Sequence, residues 1–444
     1  MKSKIIILLA ICIFSCDVLI HNPQDSVTPD DAFSSEASVR NVMVGVYDKL
    51  LSSDYYGGAF QHLTDNYADI SMYNGFFPEY QEADSKNLPT TNTLVERVWL
   101  GIYSVVNITN ELVYNIPNVV DDNFTDEEKN ELIAEAKAIR ALCYLDLLVY
   151  FGEHWDLNSS FGIPLFEYAT NSNFANVENI ARSSVEETYQ FILSDLNEAF
   201  ETGVSNSGNA YINNSFINAL LSRTYLHMQD FTNSLVYSNN ILSDTSSTFM
   251  LMDNYSDVFY NNSTSESILE LTSNSMDPTE LSLYTISRSE VIPEIELINS
   301  FDSLDTRRAL IGTVDGLDGI ERLLKYDDYS SHGNPAYLIR LAEIYLYRAE
   351  ANYFLGNLDG ALADLNILRQ RAGLSSYENT ENLITNYINE NRWELFGEGK
   401  RLSTLTRIGE AQEILGIADY QRIFPIPARE FAIEGNLLVQ NLGY

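Results

Sequence analysis

The side chains that could bind a ligand in this 444-residue chain are aromatic and polar residues gathered in two stretches without helical periodicity. Sugar recognition needs a flat apolar ring against the C–H face of a pyranose, with amide, carboxylate or guanidinium groups for the hydroxyls. Both stretches, 52–90 and 245–334, offer this mixture, and we predict that they build a ligand-binding surface. The candidate residues are Tyr67, Asp69, Tyr73, Asn74, Phe76, Phe77, Tyr326, Asp327 and Tyr329, with Trp155 from a separate irregular segment.

Residues with catalytic potential show none of the spacings on which common catalytic motifs depend. The five histidines include no His-Glu-x-x-His pattern, so a zinc site has little support. No Gly-x-Ser-x-Gly, P-loop or Gly-x-Gly-x-x-Gly motif occurs. With 63 acidic residues in the chain, the sequence leaves open whether two carboxylates form a catalytic pair of the kind found in glycosidases. Otherwise the sequence predicts a protein that is not an enzyme, with no catalytic residue, no metal ligand and no cofactor.

Two acidic stretches, 121–126 and 315–321, could suggest calcium binding. Neither alternates its oxygen-bearing side chains in the way that an EF-hand loop requires. Aspartates followed by glycine or preceding a helix are typical of turns and helix entries, which is the better interpretation of both stretches. The sequence leaves open whether a structural calcium ion binds elsewhere.

Four charged residues near the C-terminus, Arg392, Glu394, Glu398 and Arg401, lie in a stretch predicted to be helical from 381 to 407. Charges of opposite sign three or four residues apart on a helix form ion pairs. A reactive cluster would use the same residue types. The spacing favours a structural ion-pair network that holds the last helix in place.

The charge balance narrows the class of ligand. The chain has 63 acidic and 26 basic residues, which gives a formal net charge of −37. Nucleic acids and anionic lipid surfaces are bound by clustered Lys and Arg, so both are disfavoured. A neutral ligand is therefore preferred over a polyanionic one.

The N-terminus predicts export and a lipid anchor. Residues 1–15 begin with lysines and continue with an apolar run that is too short to span a bilayer. Ser15 is a small residue directly before Cys16, as in a bacterial lipobox. We predict a lipoprotein signal peptide at 1–15, a lipid on Cys16 and a tether at 16–33, with an ordinary secretory signal as the alternative.

Helical hairpins must position the two aromatic stretches. Apolar and small residues recur at helical spacing across 335–373, with Gly356 between the halves, as in a tetratricopeptide unit. Such a hairpin buries its apolar face only by stacking on another one, and similar patterns occur at 93–151 and 183–242. We predict an all-α dominated fold of tetratricopeptide-like helical hairpins with long loop-rich insertions and short β-hairpins, forming one domain over 34–444.

Several short motifs follow one another along the chain, namely Thr28–Phe33, Gly45–Tyr47, Trp99 with Tyr103, Ala138 with Arg140 and Ala141, Ile339–Leu346, Ala349–Ala351, Asn366–Gly373, Arg392–Arg401, Phe424–Pro427 and Gln440–Tyr444. In this order they resemble the SusD/RagB family of outer-membrane nutrient-binding lipoproteins. The resemblance covers essentially the whole chain after Cys16 and is most specific in its C-terminal third.

This resemblance implies a SusD-like α-superhelical scaffold that caps a TonB-dependent, SusC-like outer-membrane transporter. Such a protein captures an oligosaccharide or polysaccharide at the cell surface and delivers it without chemical change. The negative charge favours a neutral glycan such as a β-glucan or a fructan. Two alternatives stay open, a RagB-like peptide-binding lipoprotein of a peptide importer and a tetratricopeptide scaffold for protein partners.

Overall fold

The computed structural model describes residues 29–166, 180–244, 248–432 and 435–444. The predicted signal peptide, Cys16 and most of the predicted tether lie outside these residues. The described chain is mainly helical, with a few short strands, which confirms the prediction of an all-α dominated fold. Its sixteen α-helices are α1 (Pro29–Ala32), α2 (Glu36–Leu50), α3 (Ala59–Tyr67), α4 (Pro78–Asp84), α5 (Thr93–Asn115), α6 (Asp126–Phe151), α7 (Val185–Thr202), α8 (Asn214–His227), α9 (Phe231–Leu242), α10 (Asp257–Tyr260), α11 (Ile295–Ser300), α12 (Leu341–Phe354), α13 (Leu358–Arg371), α14 (Leu383–Leu395), α15 (Arg401–Arg407) and α16 (Ala411–Leu415).

Six short strands form three two-stranded antiparallel ladders in the described residues. Strand β1 pairs with β3, β2 with β6, and β4 with β5. Strand β2 contains two leucines and one isoleucine, and all five of its residues are buried. The strands are β1 (Ser71–Tyr73), β2 (Ser267–Leu271), β3 (Val291–Pro293), β4 (Ile311–Gly312), β5 (Arg322–Leu323) and β6 (Ala336–Arg340).

The long helices stack one on the next in chain order. Helix α2 packs on α5, α5 on α6, α6 on α7, α7 on α8 and α8 on α9. Helix α9 then packs on α12, so the hairpin α8–α9 stacks on the hairpin α12–α13, and α14 covers both α12 and α13. Each hairpin buries its apolar face against its neighbour, which is how repeat proteins of this kind are stabilised. The buried apolar side chains form one continuous core along the stack.

Helix α6 is the central member of this stack. Thr125 and Glu128 close its first turn with a reciprocal capping box. The second half of the helix, from Ala138 to Phe151, is buried on all sides because α5, α7 and α8 pack around it. It therefore lacks the polar stripe of a surface helix.

The hairpin α12–α13 begins later than its sequence pattern suggests. Residues from Leu338 onward fit a helical period, but Ala336–Arg340 is strand β6, and the helix begins at Leu341. The sequence pattern does not reveal this strand, because a strand buried on both faces shows a continuous apolar run and no alternation. Gly356 adopts a φ of +81° at the end of α12, where the chain turns into α13.

The two insertions contain more regular structure than the predicted long loops. The range 52–90 forms helices α3 and α4 with strand β1 between them. The range 245–334 forms strands β2 to β5, helices α10 and α11, and a π-helical turn over Leu283–Ser287. The pairing of β1 with β3 connects the two insertions and places them side by side.

Candidate functional site

The candidate site begins where the first insertion pairs with the second. In the β1–β3 ladder Ser71 lies opposite Pro293 and Tyr73 lies opposite Val291. The ladder is extended by the backbone N–H of Asn74, which donates to the carbonyl oxygen of Glu290 at 2.7 Å. The predicted residues that follow Tyr73 therefore lie beside the segment 284–290 of the second insertion.

Three tyrosine rings form a stacked column where the two insertions meet. The Tyr73 and Tyr80 rings lie 5.0 Å apart at an interplanar angle of 20°, and Tyr80 lies 5.2 Å from Tyr284 at 24°. All three side chains are buried. The guanidinium of Arg288 lies 5.0 Å from the centre of the Tyr284 ring and 4.9 Å from that of Phe77, so one cation contacts both aromatic groups. This column gives the surface above it a rigid base.

The Tyr73 hydroxyl anchors the column to its surroundings. It donates to Oε2 of Glu290 at 3.3 Å and accepts the backbone N–H of Phe77 at 3.2 Å. Burial and the nearby Glu290 carboxylate raise the pKa of Tyr73 to about 12, although the Phe77 N–H acts in the opposite direction. The hydroxyl therefore stays protonated at neutral pH. Glu290 also pairs with Arg288 at 3.1 Å, which fixes the guanidinium in place.

The exposed part of the site has apolar rings next to polar groups. The Phe76 side chain is 93% exposed and that of Phe77 is 37% exposed. Asn74 and Arg288 are also exposed, and Glu290 is half-buried. We call these five residues the Phe76–Phe77 surface. A ring held on a rigid base, with amide, guanidinium and carboxylate groups around it, matches the chemistry of sugar recognition.

A loop of the second insertion packs against Ser282, shortly before the segment 284–290. Ser282 Oγ donates to the carbonyl oxygen of Asp328 at 3.0 Å and lies 2.9 Å from Nδ1 of His332. Hydrogen bonds from Ser331 lower the pKa of Asp328 to about 2 and order the turn. Tyr329 is 45% exposed and Asp327 is exposed. Both therefore remain candidates for contact with a ligand.

Two predicted tyrosines lie in the core. Tyr67 is fully buried, and its hydroxyl donates to the carbonyl oxygen of Gln421 at 2.8 Å. Tyr326 is 2% exposed and donates to the carbonyl oxygen of Gly397 at 2.9 Å. Neither offers a ring face to solvent, which corrects their selection as surface residues. The insertions need apolar side chains to pack against the helices, and these two tyrosines serve that purpose.

Asp69 and Trp155 also have partners within the chain. Asp69 Oδ1 accepts from Nε of Arg401 at 2.7 Å, and its Oδ2 lies 3.1 Å from Nε of Arg392. This carboxylate connects the first insertion to helices α14 and α15. Trp155 lies outside both insertions, and the Arg422 guanidinium lies 3.6 Å from the centre of its ring. The structure thus places Asn74, Phe76 and Phe77 on one surface, with Tyr73 buried beneath them, but does not add Asp69 or Trp155 to it.

Four residues of the site were not among the sequence candidates, namely Tyr80, Tyr284, Arg288 and Glu290. The last three could have been found from the local pattern Tyr-x-x-x-Arg-x-Glu within the second aromatic stretch. A cation four residues after an aromatic ring can lie over that ring when the segment is helical. The π-helical turn at Leu283–Ser287 produces this arrangement here.

Glu394 in helix α14 and Glu398 after it belong to a buried ion-pair network, as predicted, but they pair with residues outside the predicted four. Glu394 pairs with Arg340 and Arg371, and Glu398 pairs with Arg340 and Lys325. Although burial favours the neutral acid, Arg371 and Arg340 hold the pKa of Glu394 below its usual range. These side chains are almost completely shielded from solvent, so they stabilise the fold and meet no ligand.

Within 29–166, 180–244, 248–432 and 435–444, His, Cys, Asp and Glu side chains form no group of three or more that could hold a metal ion. Over the same residues, no helix has both the length and the apolar character that a membrane crossing requires.

Comparison with protein families gives two matches along the chain. A model described as the SusD family matches residues 325–424, which include the hairpin α12–α13 and the ion-pair network. A second model, described as starch-binding and associating with the outer membrane, matches residues 20–226. Among curated proteins, the SusD-like protein P25 of Formosa agariphila is 23% identical, and the alignment covers 100% of both chains.

Solved structures with the same fold span almost the entire chain. A SusD superfamily protein from Bacteroides thetaiotaomicron has a TM-score of 0.79 and 23% identity, covering 94% of this chain and 100% of its own. A laminarin-binding SusD-like protein has a TM-score of 0.79 and 23% identity, covering 93% and 100% respectively. At this identity the structural match establishes the fold.

Proposed function

This chain belongs to the SusD family, and we propose that it is a cell-surface protein that binds an oligosaccharide or polysaccharide without cleaving it. The observation that carries the proposal is the Phe76–Phe77 surface, where an almost fully exposed phenylalanine lies next to Asn74, Arg288 and Glu290. An exposed ring of this size costs free energy in water. The neighbouring Phe77 ring is held by Arg288 next to the tyrosine column. Together these features support a role in binding.

The arrangement favours a sugar as the ligand. The ring faces would cover the C–H face of a pyranose, while the amide, guanidinium and carboxylate groups would exchange hydrogen bonds with its hydroxyls. Because the column Tyr73–Tyr80–Tyr284 is already packed, little ordering is needed when the ligand binds. Tyr329 and Asp327 would extend the contact towards a second sugar ring.

The proposed ligand is a neutral glycan, with a β-glucan preferred and a fructan as the next choice. The formal net charge of −37 opposes a polyanionic glycan. One relative of the same fold is named for laminarin binding, which supports a β-glucan. A peptide ligand is the alternative that the binding experiment below distinguishes.

The proposed test is affinity electrophoresis of the detergent-solubilised full chain in gels that contain laminarin, inulin or a casein peptide mixture. We expect retardation by one polysaccharide and its loss in the double variant Phe76→Ala/Phe77→Ala. Tyr114→Ala is the matched control, since Tyr114 is 57% exposed on helix α5. Retardation only by peptides, or equal retardation of wild type and double variant, would contradict the proposal. A rise in reducing ends on incubation would show hydrolysis.

We also propose that a lipid on Cys16 anchors the protein to the outer membrane, next to a TonB-dependent SusC-like transporter. One matching family is described as associating with the outer membrane, which supports this location. In a bacterial host, Cys16→Ala should move the protein from the membrane fraction to the soluble fraction and abolish incorporation of labelled palmitate. Cys143→Ala is the control, because Cys143 is buried within helix α6. Unchanged membrane association of Cys16→Ala would exclude the anchor.

A further inference from the structure

A second aromatic surface lies at the loop between α7 and α8 and shares no residue with the Phe76–Phe77 surface. Tyr211 in this loop is 45% exposed and lines two clefts. The first, which we call the Asp48 cleft, has a volume of about 190 Å³ and is lined by Asp48, Thr272 and Asp277. The second, the Asn206 cleft, has a volume of about 220 Å³ and is lined by Arg40, Glu135 and Asn206.

The Tyr211 ring is held in a fixed orientation. It meets the Tyr47 ring edge to face, with centroids 5.0 Å apart and an interplanar angle of 88°. The buried Tyr47 hydroxyl donates to Oε1 of Glu135 and accepts the backbone N–H of Ile212 at 2.8 Å. Because Ile212 is the next residue in the chain, this hydrogen bond fixes the backbone that carries the exposed ring. Tyr211 is thus a preorganised flat surface.

Polar groups able to meet hydroxyls flank the ring on both sides. Asp48 and Asp277 both line the Asp48 cleft. Burial and the neighbouring Asp48 carboxylate raise the pKa of Asp277. Two adjacent hydroxyls of one sugar ring would donate to both carboxylates and relieve their repulsion.

The Asn206 cleft is polar as well. It is lined by the half-buried Asn206, whose Nδ2 donates to the carbonyl oxygen of Ile212 at 3.1 Å. Arg40 supplies guanidinium donors at the rim, where it also pairs with Glu36 at 2.7 Å. Val44, which is 55% exposed, lines both clefts and continues the apolar area of the Tyr211 ring.

We propose that Tyr211 is the platform of a second glycan-binding site, separate from the Phe76–Phe77 surface. The sugar ring would stack on Tyr211 and Val44, with its hydroxyls directed into the Asp48 and Asn206 clefts. The class of ligand rests on the proposed function, whereas the position of the site rests on the geometry around Tyr211. A second site lets one protein hold a long polysaccharide at two points, which raises the overall avidity.

The test is isothermal titration of the full chain in detergent with laminarihexaose and with a short inulin oligomer. Wild type should bind two equivalents of one of them. Tyr211→Ala should lose one of these equivalents or weaken it by about tenfold or more, as expected for removal of a stacking ring. Tyr211→Phe keeps the ring and should retain the affinity within about threefold. Asp48→Asn should weaken the same equivalent, and thermal unfolding should show that each variant is folded.

The outcomes separate this inference from the proposed function. If Tyr211→Ala changes neither affinity nor stoichiometry, the second site is refuted while the proposed function stands. If the double variant Phe76→Ala/Phe77→Ala binds normally and Tyr211→Ala does not, the second site stands and the first surface is refuted. Absence of binding to either oligosaccharide refutes both. Binding of calcium alone that depends on Asp48, with Tyr211→Ala leaving sugar binding intact, would reassign the Asp48 cleft to a cation.

Discussion

At the residue scale, Arg340 is the centre of the buried charges. Its guanidinium donates to Glu266 at 2.6 Å, to Glu394 at 3.1 Å and to Glu398 at 2.8 and 2.9 Å. The side chains of all four residues are 0% exposed. Removing one partner from a buried ion pair leaves the opposite charge without compensation, which costs more than the pair itself contributes.

We therefore expect Arg340→Met to lower the free energy of unfolding by about 3–5 kcal/mol. The measurement is chemical denaturation followed by circular dichroism. Arg40→Met is the matched control, because Arg40 is 47% exposed and pairs with Glu36 at the surface, where the loss is about 1 kcal/mol or less. A loss below about 1 kcal/mol for Arg340→Met would show that the network contributes little.

Asp65 gives a prediction about pH. Burial raises the pKa of Asp65 to about 8, against a partial lowering by the backbone N–H of Gly399 and by Lys325. Between pH 5 and 8 the folded chain therefore holds a proton on Asp65 that the unfolded chain has released, so this group makes the folded state less stable as the pH rises. Its contribution changes by about 1 kcal/mol for each pH unit in that window.

Asp65→Asn removes this titration while it keeps an oxygen acceptor for the Gly399 N–H, which lies 3.2 Å from Oδ1 of Asp65. Relative to wild type, the variant should become progressively more stable from pH 5 to pH 8 in urea unfolding experiments. A stability difference that is constant across this range would mean that Asp65 does not titrate there.

The charged partners show what the sequence could and could not predict at this scale. Spacing alone correctly indicated that Glu394 and Glu398 belong to a structural network. It could not name their partners, because Arg340 and Lys325 come from distant segments that only the fold brings together. Likewise, Tyr67 and Tyr73 occur in the same aromatic stretch and are both buried, yet only Tyr73 lies under the Phe76–Phe77 surface.

At the scale of elements, the helices were predictable because their boundaries carry local signals. Helix α7 begins with a capping box in which Ser184 Oγ accepts the backbone N–H of Glu187 at 3.1 Å, and Glu187 accepts the backbone N–H of Ser184 at 2.8 Å. Strand β6 was less predictable, since its buried apolar residues also fit the period of the helix that follows. The short helices of the insertions were also less predictable, because they depend on tertiary packing.

Ser184→Ala should destabilise the protein by about 1 kcal/mol, because the first turn of α7 loses a hydrogen-bond acceptor. Ser194→Ala in the same helix is the matched control and should be nearly neutral, since Ser194 is an exposed mid-helix residue. The shift in denaturation midpoint of the two variants is the measurement. Equal shifts would indicate that the cap does not contribute to stability.

At the scale of the whole molecule, a stack of helical hairpins holds two insertions that meet in the β1–β3 ladder. Helical periodicity predicted the hairpins from the sequence, and the composition of the insertions led to the prediction that they build a ligand-binding surface. The tyrosine column and the position of Arg288 did not follow, because they depend on two segments about 200 residues apart in the chain pairing in one register.

The most direct measurement of the central claim is calorimetric titration of the Phe76–Phe77 surface by itself. In a Tyr211→Ala background, the detergent-solubilised full chain should bind laminarihexaose or an inulin oligomer with a stoichiometry of about one. Adding Phe76→Ala and Phe77→Ala should weaken that binding by at least about tenfold, since the rings that cover the sugar are removed. Binding with unchanged affinity after both rings are removed would contradict the claim that this surface holds the glycan.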